Sequence, residues 1–152
     1  MQIFLASDHA GFYLKEIIKK DLLNRGFQIE DFGANSYDEL DDFPDFIKPC
    51  VAKYLAKTNG DPKKGFAIIF GGSGTGEAIA ANRNRGARAV VLNHENLEIV
   101  KLGRAHNNAN IISIGARFVD EKICLEAIKI FTTSQFEGGK YAKRIMKTDM
   151  IQ

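Results

Sequence analysis

A loop of four glycines that ends in a carboxylate, GGSGTGE at residues 71–77, has the composition of a site for a small anionic molecule. It follows an apolar run at residues 66–70 and leads directly into a helix-like segment that begins at Glu77. Glycines let backbone N–H groups turn toward a ligand, and the first helical turn adds unpaired donors. A loop that only holds phosphate would gain from lysine or a hydroxyl at position 77. The carboxylate of Glu77 therefore suggests that something bound in the loop is deprotonated.

Other polar residues stand where predicted strands begin or end. Asp8 and His9 follow the first strand and Arg117 follows the fifth, whereas His106 lies just before the fifth strand. In an open parallel sheet the ligand binds beyond the carboxyl ends of the strands. His106 is at the other edge, so we expect it to serve the site of a neighbouring subunit unless its loop folds over. On the residues alone, Glu77 could equally be an acid favoured by the helix dipole. The less favoured alternative for His106 is a loop histidine bonded to a carbonyl group.

The elements that must position these residues alternate along the chain. Short apolar runs predict strands, and segments of helical periodicity between and after them predict helices. This alternation requires parallel pairing with right-handed crossovers, so we predict a doubly wound, three-layer α/β/α (Rossmann-like) fold with a five-stranded parallel sheet and a C-terminal helix. The predicted strands are residues 3–6, 28–32, 66–70, 87–92 and 110–115, and the predicted helices are residues 13–24, 45–57, 77–83, 97–105, 121–134 and 139–147. No repeat or linker divides residues 1–152, which predicts a single domain.

Composition excludes several classes of partner. The chain has 152 residues, 45% hydrophobic and 26% charged, which is ordinary for a globular protein with a real core. A formal charge of +2 with no basic stripe argues against nucleic acid. The short apolar runs and the absence of a signal-peptide pattern argue against a membrane partner, so we expect a cytoplasmic protein.

Cysteine and histidine usage gives no metal signature. Cys50 and Cys124 each lie within a helical apolar repeat, which predicts buried and inert core thiols. With three histidines and no paired cysteine spacing, we expect chemistry without a metal or any other cofactor.

Six motifs in order along nearly the whole chain resemble the type B ribose-5-phosphate isomerases. The resemblance extends to the sister isomerases that act on galactose 6-phosphate and allose 6-phosphate. The motifs are SDHAG at residues 7–11, DFPD at 42–45, the glycine loop with AAN at 80–82, HNNAN at 106–110, GAR at 115–117 and FEGG at 136–139.

The resemblance implies a role for individual residues. Many family members carry a cysteine base where this chain has Gly71, whereas a second branch has a glycine-serine loop and uses the glutamate at position 77. This chain looks like the glutamate branch. The resemblance implies that Asp8 and His9 contact the sugar phosphate and that Arg117 and Arg144 bind its phosphate group. It also implies that His106 assists ring opening and that Asn107 contacts the enediolate. The tail has Lys140 and Lys143 where relatives often have arginine. A lysine ammonium group is a point charge and cannot form the bidentate pair of hydrogen bonds that an arginine guanidinium makes with phosphate.

We therefore expect a metal-independent aldose–ketose isomerase that interconverts ribose 5-phosphate and ribulose 5-phosphate through an enediolate. The alternatives are an isomerase for another aldose phosphate of four or six carbons, or a non-catalytic sugar-phosphate or nucleotide-binding module. The expected partner is a small sugar phosphate, and the resemblance implies a homodimer or higher oligomer with a shared active site. The predicted catalytic residues are Glu77, His106 and Ser73, and the predicted substrate-binding residues are Asp8, His9, Gly72, Gly74, Thr75, Gly76, Asn107, Arg117, Lys140 and Arg144.

Overall fold

The computed structural model describes residues 1–149, so the last three residues of the predicted single domain lie outside the described part. Strands and helices alternate in the predicted order. The strands are β1 (Gln2–Ser7), β2 (Gln28–Asp31), β3 (Gly65–Gly71), β4 (Ala89–Leu92) and β5 (Ile111–Gly115). The helices are α1 (Phe12–Asn24), α2 (Phe43–Thr58), α3 (Thr75–Asn82), α4 (Glu98–Asn107), α5 (Glu121–Thr133) and α6 (Lys140–Asp149).

Every predicted boundary lies within two residues of the observed one, and the start of α2 is one of the two-residue differences. The helix begins at Phe43, two residues before the predicted start at Asp45, and includes Pro44 in its first turn. Proline suits that position because its missing N–H would have no helical partner there. The motif DFPD at residues 42–45 is therefore the beginning of a helix.

All five strands are parallel and lie in the order β2-β1-β3-β5-β4. The chain passes from β1 to β2 toward the β2 edge of the sheet. It then passes from β2 to β3 and from β3 to β4 in the opposite direction, toward the β4 edge. Right-handed crossovers then place α1 on one face and α2 and α3 on the other. The return from β4 to β5 puts α4 on the α1 face, where α5 also packs. The fold is doubly wound, as predicted.

Each face of the sheet has its own apolar core. Ile18 of α1, Val100 of α4 and Phe131 of α5 pack on one face, against alternate strand residues. Cys50 and Tyr54 of α2 pack on the other face. Because both faces are covered, the central strand β3 is buried along its whole length.

Two further expectations concern the cysteines and membrane-spanning helices. Cys50 and Cys124 are buried and unpaired, and burial raises the pKa of both thiols well above the ordinary value. The prediction that both thiols are buried in the core is confirmed. Within residues 1–149, none of the helices combines the length and the apolar composition that crossing a membrane requires.

The strand order places a topological switch point at the carboxyl end of β3. This strand leads to α3 on one face, whereas its neighbours β1 and β5 lead to α1 and α5 on the opposite face. The backbone therefore diverges on both sides of the β3 exit. In sheets of this kind, ligands bind at such switch points.

Candidate active site

Glu77 lies in the first turn of α3, directly beyond the end of β3. Its side chain folds back over Gly71, and the residue is only 4% exposed. Burial raises the pKa of the Glu77 carboxyl above its ordinary value, and the negative charge of Asp8 raises it further. The hydrogen bond from the backbone N–H of Glu77 to the carboxyl lowers the pKa and so opposes these two effects. The result is a carboxylate whose proton affinity is higher than in water, as a general base requires.

The glycine loop, residues 71–76, is held in shape from β5. Gly74 has φ +75° and caps α3, and a Cβ there would lie 3.0 to 3.1 Å from backbone atoms of residues 113–115. The hydroxyl of Ser113 donates to the carbonyl of Gly74 at 2.5 Å. Only glycine combines this left-handed conformation with so close an approach, so the position is specified by the backbone.

The exit of β5 is tied to the same loop. The N–H groups of Ala116 and Arg117 donate to the carbonyls of Gly71 and Gly72 at 2.8 and 3.1 Å. The guanidinium of Arg117 lies over Gly72, at 3.4 to 3.5 Å from where a Cβ would stand. A cation therefore stands directly above the backbone of the loop.

The exit of β1 carries an acid and a histidine that are ordered by a third residue. The buried Asp8 accepts from the N–H of Gly11 at 3.1 Å. His9 binds Asp41 twice, through its backbone N–H at 3.0 Å and through Nδ1 at 2.6 Å. The hydrogen bond to Asp41 raises the pKa of the His9 imidazole, which favours a cation facing the site.

Asp8, His9 and Asp41 also present ligand atoms within 4.8 Å of one another, so the geometry alone would allow them to hold a metal ion. Nδ1 of His9 is already engaged by Asp41, and the raised pKa favours its protonated form. A metal ligand must be deprotonated. We interpret the group as a hydrogen-bonded pair, His9 and Asp41, beside the carboxylate of Asp8.

A second polar cluster lies at the opposite edge of the sheet. His106 and Asn107 end α4, and they line a groove of about 610 Å³ together with Tyr141 and Arg144 of α6. Strand β5, which separates this edge from the glycine loop, spans about 13 Å. His106 therefore does not reach Glu77 within one chain, as its position before the fifth strand indicated.

The structure thus divides the predicted site residues between two edges. Those at the carboxyl edge are Asp8, His9, Gly72, Ser73, Gly74, Thr75, Gly76, Glu77 and Arg117. Those at the amino edge are His106, Asn107, Lys140 and Arg144. Three residues that contact the site were not predicted from the sequence: Asp41, Ser113 and Tyr141. Asp41 directly precedes a motif that was singled out, but its contact with His9 spans 32 residues.

Comparison of the chain with known proteins identifies the family to which it belongs. Residues 3–148 match the ribose/galactose isomerase family. The chain belongs to the ribose/galactose isomerase family. This membership confirms the resemblance on which several of the sequence predictions depend.

Relatives in the ribose/galactose isomerase family match along nearly the full chain. Ribose-5-phosphate isomerase B of Mycolicibacterium paratuberculosis is 40% identical over 146 residues, which are 95% of this chain and 87% of that protein. The crystal structure of ribose-5-phosphate isomerase B from Mycoplasma genitalium with bound ribulose 5-phosphate has a TM-score of 0.89 at 36% identity and covers 97% of this chain and 93% of that one. The Thermotoga maritima ribose 5-phosphate isomerase structure also has a TM-score of 0.89, at 37% identity, and covers 99% and 98% of the two chains.

Proposed function

We propose that this protein interconverts ribose 5-phosphate and ribulose 5-phosphate, and that Glu77 moves the proton between C1 and C2. The observation that carries the proposal is the buried Glu77 carboxylate above Gly71, with a raised pKa, at the switch point beyond β3. Relatives that match 95% of the chain have the name ribose-5-phosphate isomerase B. One related structure contains ribulose 5-phosphate.

The isomerisation has a simple proton balance. Glu77 takes the proton from C2 of the open-chain aldose, which leaves negative charge on O1. A proton passes from the O2 hydroxyl to O1, and Glu77 returns its proton to C1, which leaves the ketone at C2. One carboxylate suffices because the two carbons are adjacent, and burial keeps its basicity high enough for the first transfer.

The glycine loop supplies donors for the charge that develops in the enediolate. The N–H group of Gly76 belongs to the first turn of α3, where backbone donors lack helical partners. Ser73 accepts from the N–H of Thr75 at 3.2 Å, so its hydroxyl proton is free to point toward the substrate. Donors that are already in place stabilise developing negative charge without reorganisation.

The phosphate group has cations available on both sides. Arg117 stands above Gly72, and the hydrogen bond with Asp41 favours the protonated form of His9. Arg144 and Lys140 extend from α6 at the other edge. We assign the phosphate to these four residues, with the arginines able to bind it through two parallel hydrogen bonds.

A two-fold dimer would join the two halves of the site. Glu77 lies at the start of α3, and Arg83 directly follows the end of this helix. Arg83 also lines the groove that contains His106, so that groove begins at the end of α3. Helix α3 is only about 12 Å long, and Ile79 near its middle is 56% exposed. A two-fold axis beside Ile79 would bring the start of one α3 to the end of its partner. We infer that His106 and Asn107 of one subunit complete the Glu77 site of the other.

The family name also covers galactose isomerases, so a six-carbon aldose phosphate is the second candidate substrate. Glu77 chemistry would be the same, because the aldehyde and the adjacent hydroxyl do not change. The distance from the reacting carbons to the phosphate differs, and so does the configuration of the hydroxyl groups between them. A panel of four-, five- and six-carbon aldose phosphates therefore separates the two candidates.

The test is turnover together with isotope exchange. In D2O, the product ribulose 5-phosphate should acquire deuterium at C1, and the efficiency should be highest with ribose 5-phosphate in the panel. Turnover should survive dialysis against a chelator, because the chain's own groups supply base and donors. A protein that binds ribose 5-phosphate but catalyses neither turnover nor exchange would be a binding module, and the proposal would be wrong.

A further inference from the structure

The imidazole of His106 lies flat against the ring of Tyr141. The two ring centroids are 4.1 Å apart and the planes differ by 10°. Nε2 of His106 is 3.7 Å from Oε1 of Glu137. A parallel stack of this kind fixes the plane of the imidazole, whereas a long ion pair with an exposed carboxylate constrains it only weakly.

The backbone that carries both rings is anchored. Arg104 is buried, and its guanidinium donates to the carbonyls of Ala109 and Ser134 at 2.6 and 3.4 Å. The N–H of Glu137 donates to the carbonyl of Ala105 at 3.0 Å. These bonds join the end of α4 to the segment that leads into α6. The stack is therefore set by tertiary packing on both sides.

Tyr141 also contacts the two cations of its helix. Lys140 Nζ lies 5.0 Å from the centre of its ring, and Arg144 Cζ lies 5.7 Å from it. Both distances are within the range of cation–π attraction. One aromatic ring thus contacts three of the four residues that the amino edge contributes to the proposed site.

We propose that Tyr141 is a positioning residue for ring opening: its ring holds the imidazole of His106 in the plane needed to deliver a proton to the sugar. The inference rests on the proposed function, in which His106 opens the furanose. It assigns no role to the Tyr141 hydroxyl. The proton transfer at C1 and C2 depends on Glu77 and should not depend on Tyr141.

The substrate chemistry separates these two steps. In ribose 5-phosphate, O4 closes a furanose ring onto C1, so the aldehyde forms only when O4 gains a proton, the C1–O4 bond breaks and the O1 hydroxyl loses its proton to water. His106 would supply the proton to O4 and recover one from water. Ribulose 5-phosphate has no ring to open, because its O5 is esterified and cannot close onto the C2 carbonyl. Glu77 can exchange its C1 proton directly.

The experiment compares Tyr141→Leu with Tyr141→Phe in two assays. The first measures kcat/KM for ribose 5-phosphate, and the second measures deuterium entry at C1 of ribulose 5-phosphate in D2O. For the leucine variant we expect turnover to fall by about tenfold to a hundredfold, the usual cost of misplacing a catalytic group, while exchange stays close to wild type. Tyr141→Phe should restore turnover because it keeps the stack. Met146→Ala, an exposed truncation on the same helix, is the control for damage to α6.

A signal from the stack itself gives an independent measurement. Proton resonances of the His106 imidazole, assigned by their loss in His106→Asn, should be shifted by the Tyr141 ring current in wild type and in Tyr141→Phe but not in Tyr141→Leu. Full turnover in the leucine variant, an equal loss of turnover and exchange, or failure of phenylalanine to restore turnover would each overturn the proposal. If the wild-type protein had neither activity, the proposed function would be wrong, and the resonance shift would then test the stack alone.

Discussion

The carboxylate of Glu77 occupies the space that a side chain at position 71 would need. A Cβ built on Gly71 would overlap the carboxyl carbon and an oxygen of Glu77. The two positions are six residues apart but share one volume at the exit of β3. The resemblance implies a cysteine at position 71 in many family members, and in this chain the absence of any side chain there is what admits the glutamate.

Gly71→Ala should therefore displace the base without changing its chemistry. We expect kcat to fall by about a hundredfold, because small shifts of a catalytic group have effects of that size. The comparison variant is Gly72→Ala, whose Cβ would meet Arg117 only at ordinary contact distance; because Gly72 is a predicted substrate-binding residue, any loss there should appear in KM rather than in kcat. Equal and small losses in both variants, measured by steady-state kinetics, would mean that the Glu77 position is not set by Gly71.

Glu77→Gln should remove the general base and lower kcat by about 10²- to 10⁴-fold, with substrate binding retained. Glu121→Gln, which removes an exposed first-turn acid from α5, should have little effect. Iodoacetamide should leave turnover intact, because Cys50 and Cys124 are buried and their pKa values are raised. Near-normal turnover of Glu77→Gln would refute the assignment.

A stability measurement distinguishes loss of the base from misfolding. Since the folded-state pKa of Glu77 is raised, the folded protein binds more protons than the unfolded chain between the ordinary value of 4.5 and the raised pKa. Ionising Glu77 therefore costs stability, and the cost grows as pH rises through the raised pKa. At neutral pH the thermal midpoint of Glu77→Gln should equal or exceed that of wild type.

The Asp41–His9 pair predicts a pH dependence of substrate binding. The hydrogen bond to Asp41 raises the His9 pKa above 6.5, so its stabilising contribution is complete below that value and is lost as pH rises through the folded-state pKa. KM should rise over the same window if His9 binds phosphate as a cation. Asp41→Asn should shift that rise to lower pH, whereas Asp38→Asn in the same loop should not. KM–pH profiles and an NMR titration of His9 provide the measurement.

Replacing Arg117 or Arg144 by alanine should mainly raise KM. A charge-assisted hydrogen bond contributes about 1.5–3 kcal/mol, which corresponds to one or two powers of ten in affinity. Unphosphorylated ribose should be a negligible substrate for the wild-type protein. Comparable kcat/KM values for ribose and ribose 5-phosphate would contradict phosphate recognition by these arginines.

The shared site predicts complementation between inactive subunits. After mild dissociation and reassembly, Glu77→Gln mixed with His106→Asn should form heterodimers with one intact and one doubly damaged site. The heterodimer fraction should recover about half of the wild-type activity, as two-fold symmetry requires. Subunit exchange without any recovery would place both residues in the site of one subunit.

The sequence by itself determined the elements and the parallel sheet. The apolar run at residues 66–70 reports burial on both faces of a strand, and that information is local. The same local logic placed Glu77 at a helix start, Arg117 at a strand exit and His106 at the opposite edge. Ordered motifs then indicated the family.

Only the tertiary structure decided which of these residues meet. The position of β5 between β3 and β4 lets Ser113 hold the glycine loop, and no periodicity in the sequence specifies that order. The contacts of Asp41 with His9 and of Tyr141 with His106 join residues 32 and 35 positions apart. Such contacts depend on how separate elements pack, because periodicity reports how deeply a side chain is buried but not which side chain lies beside it.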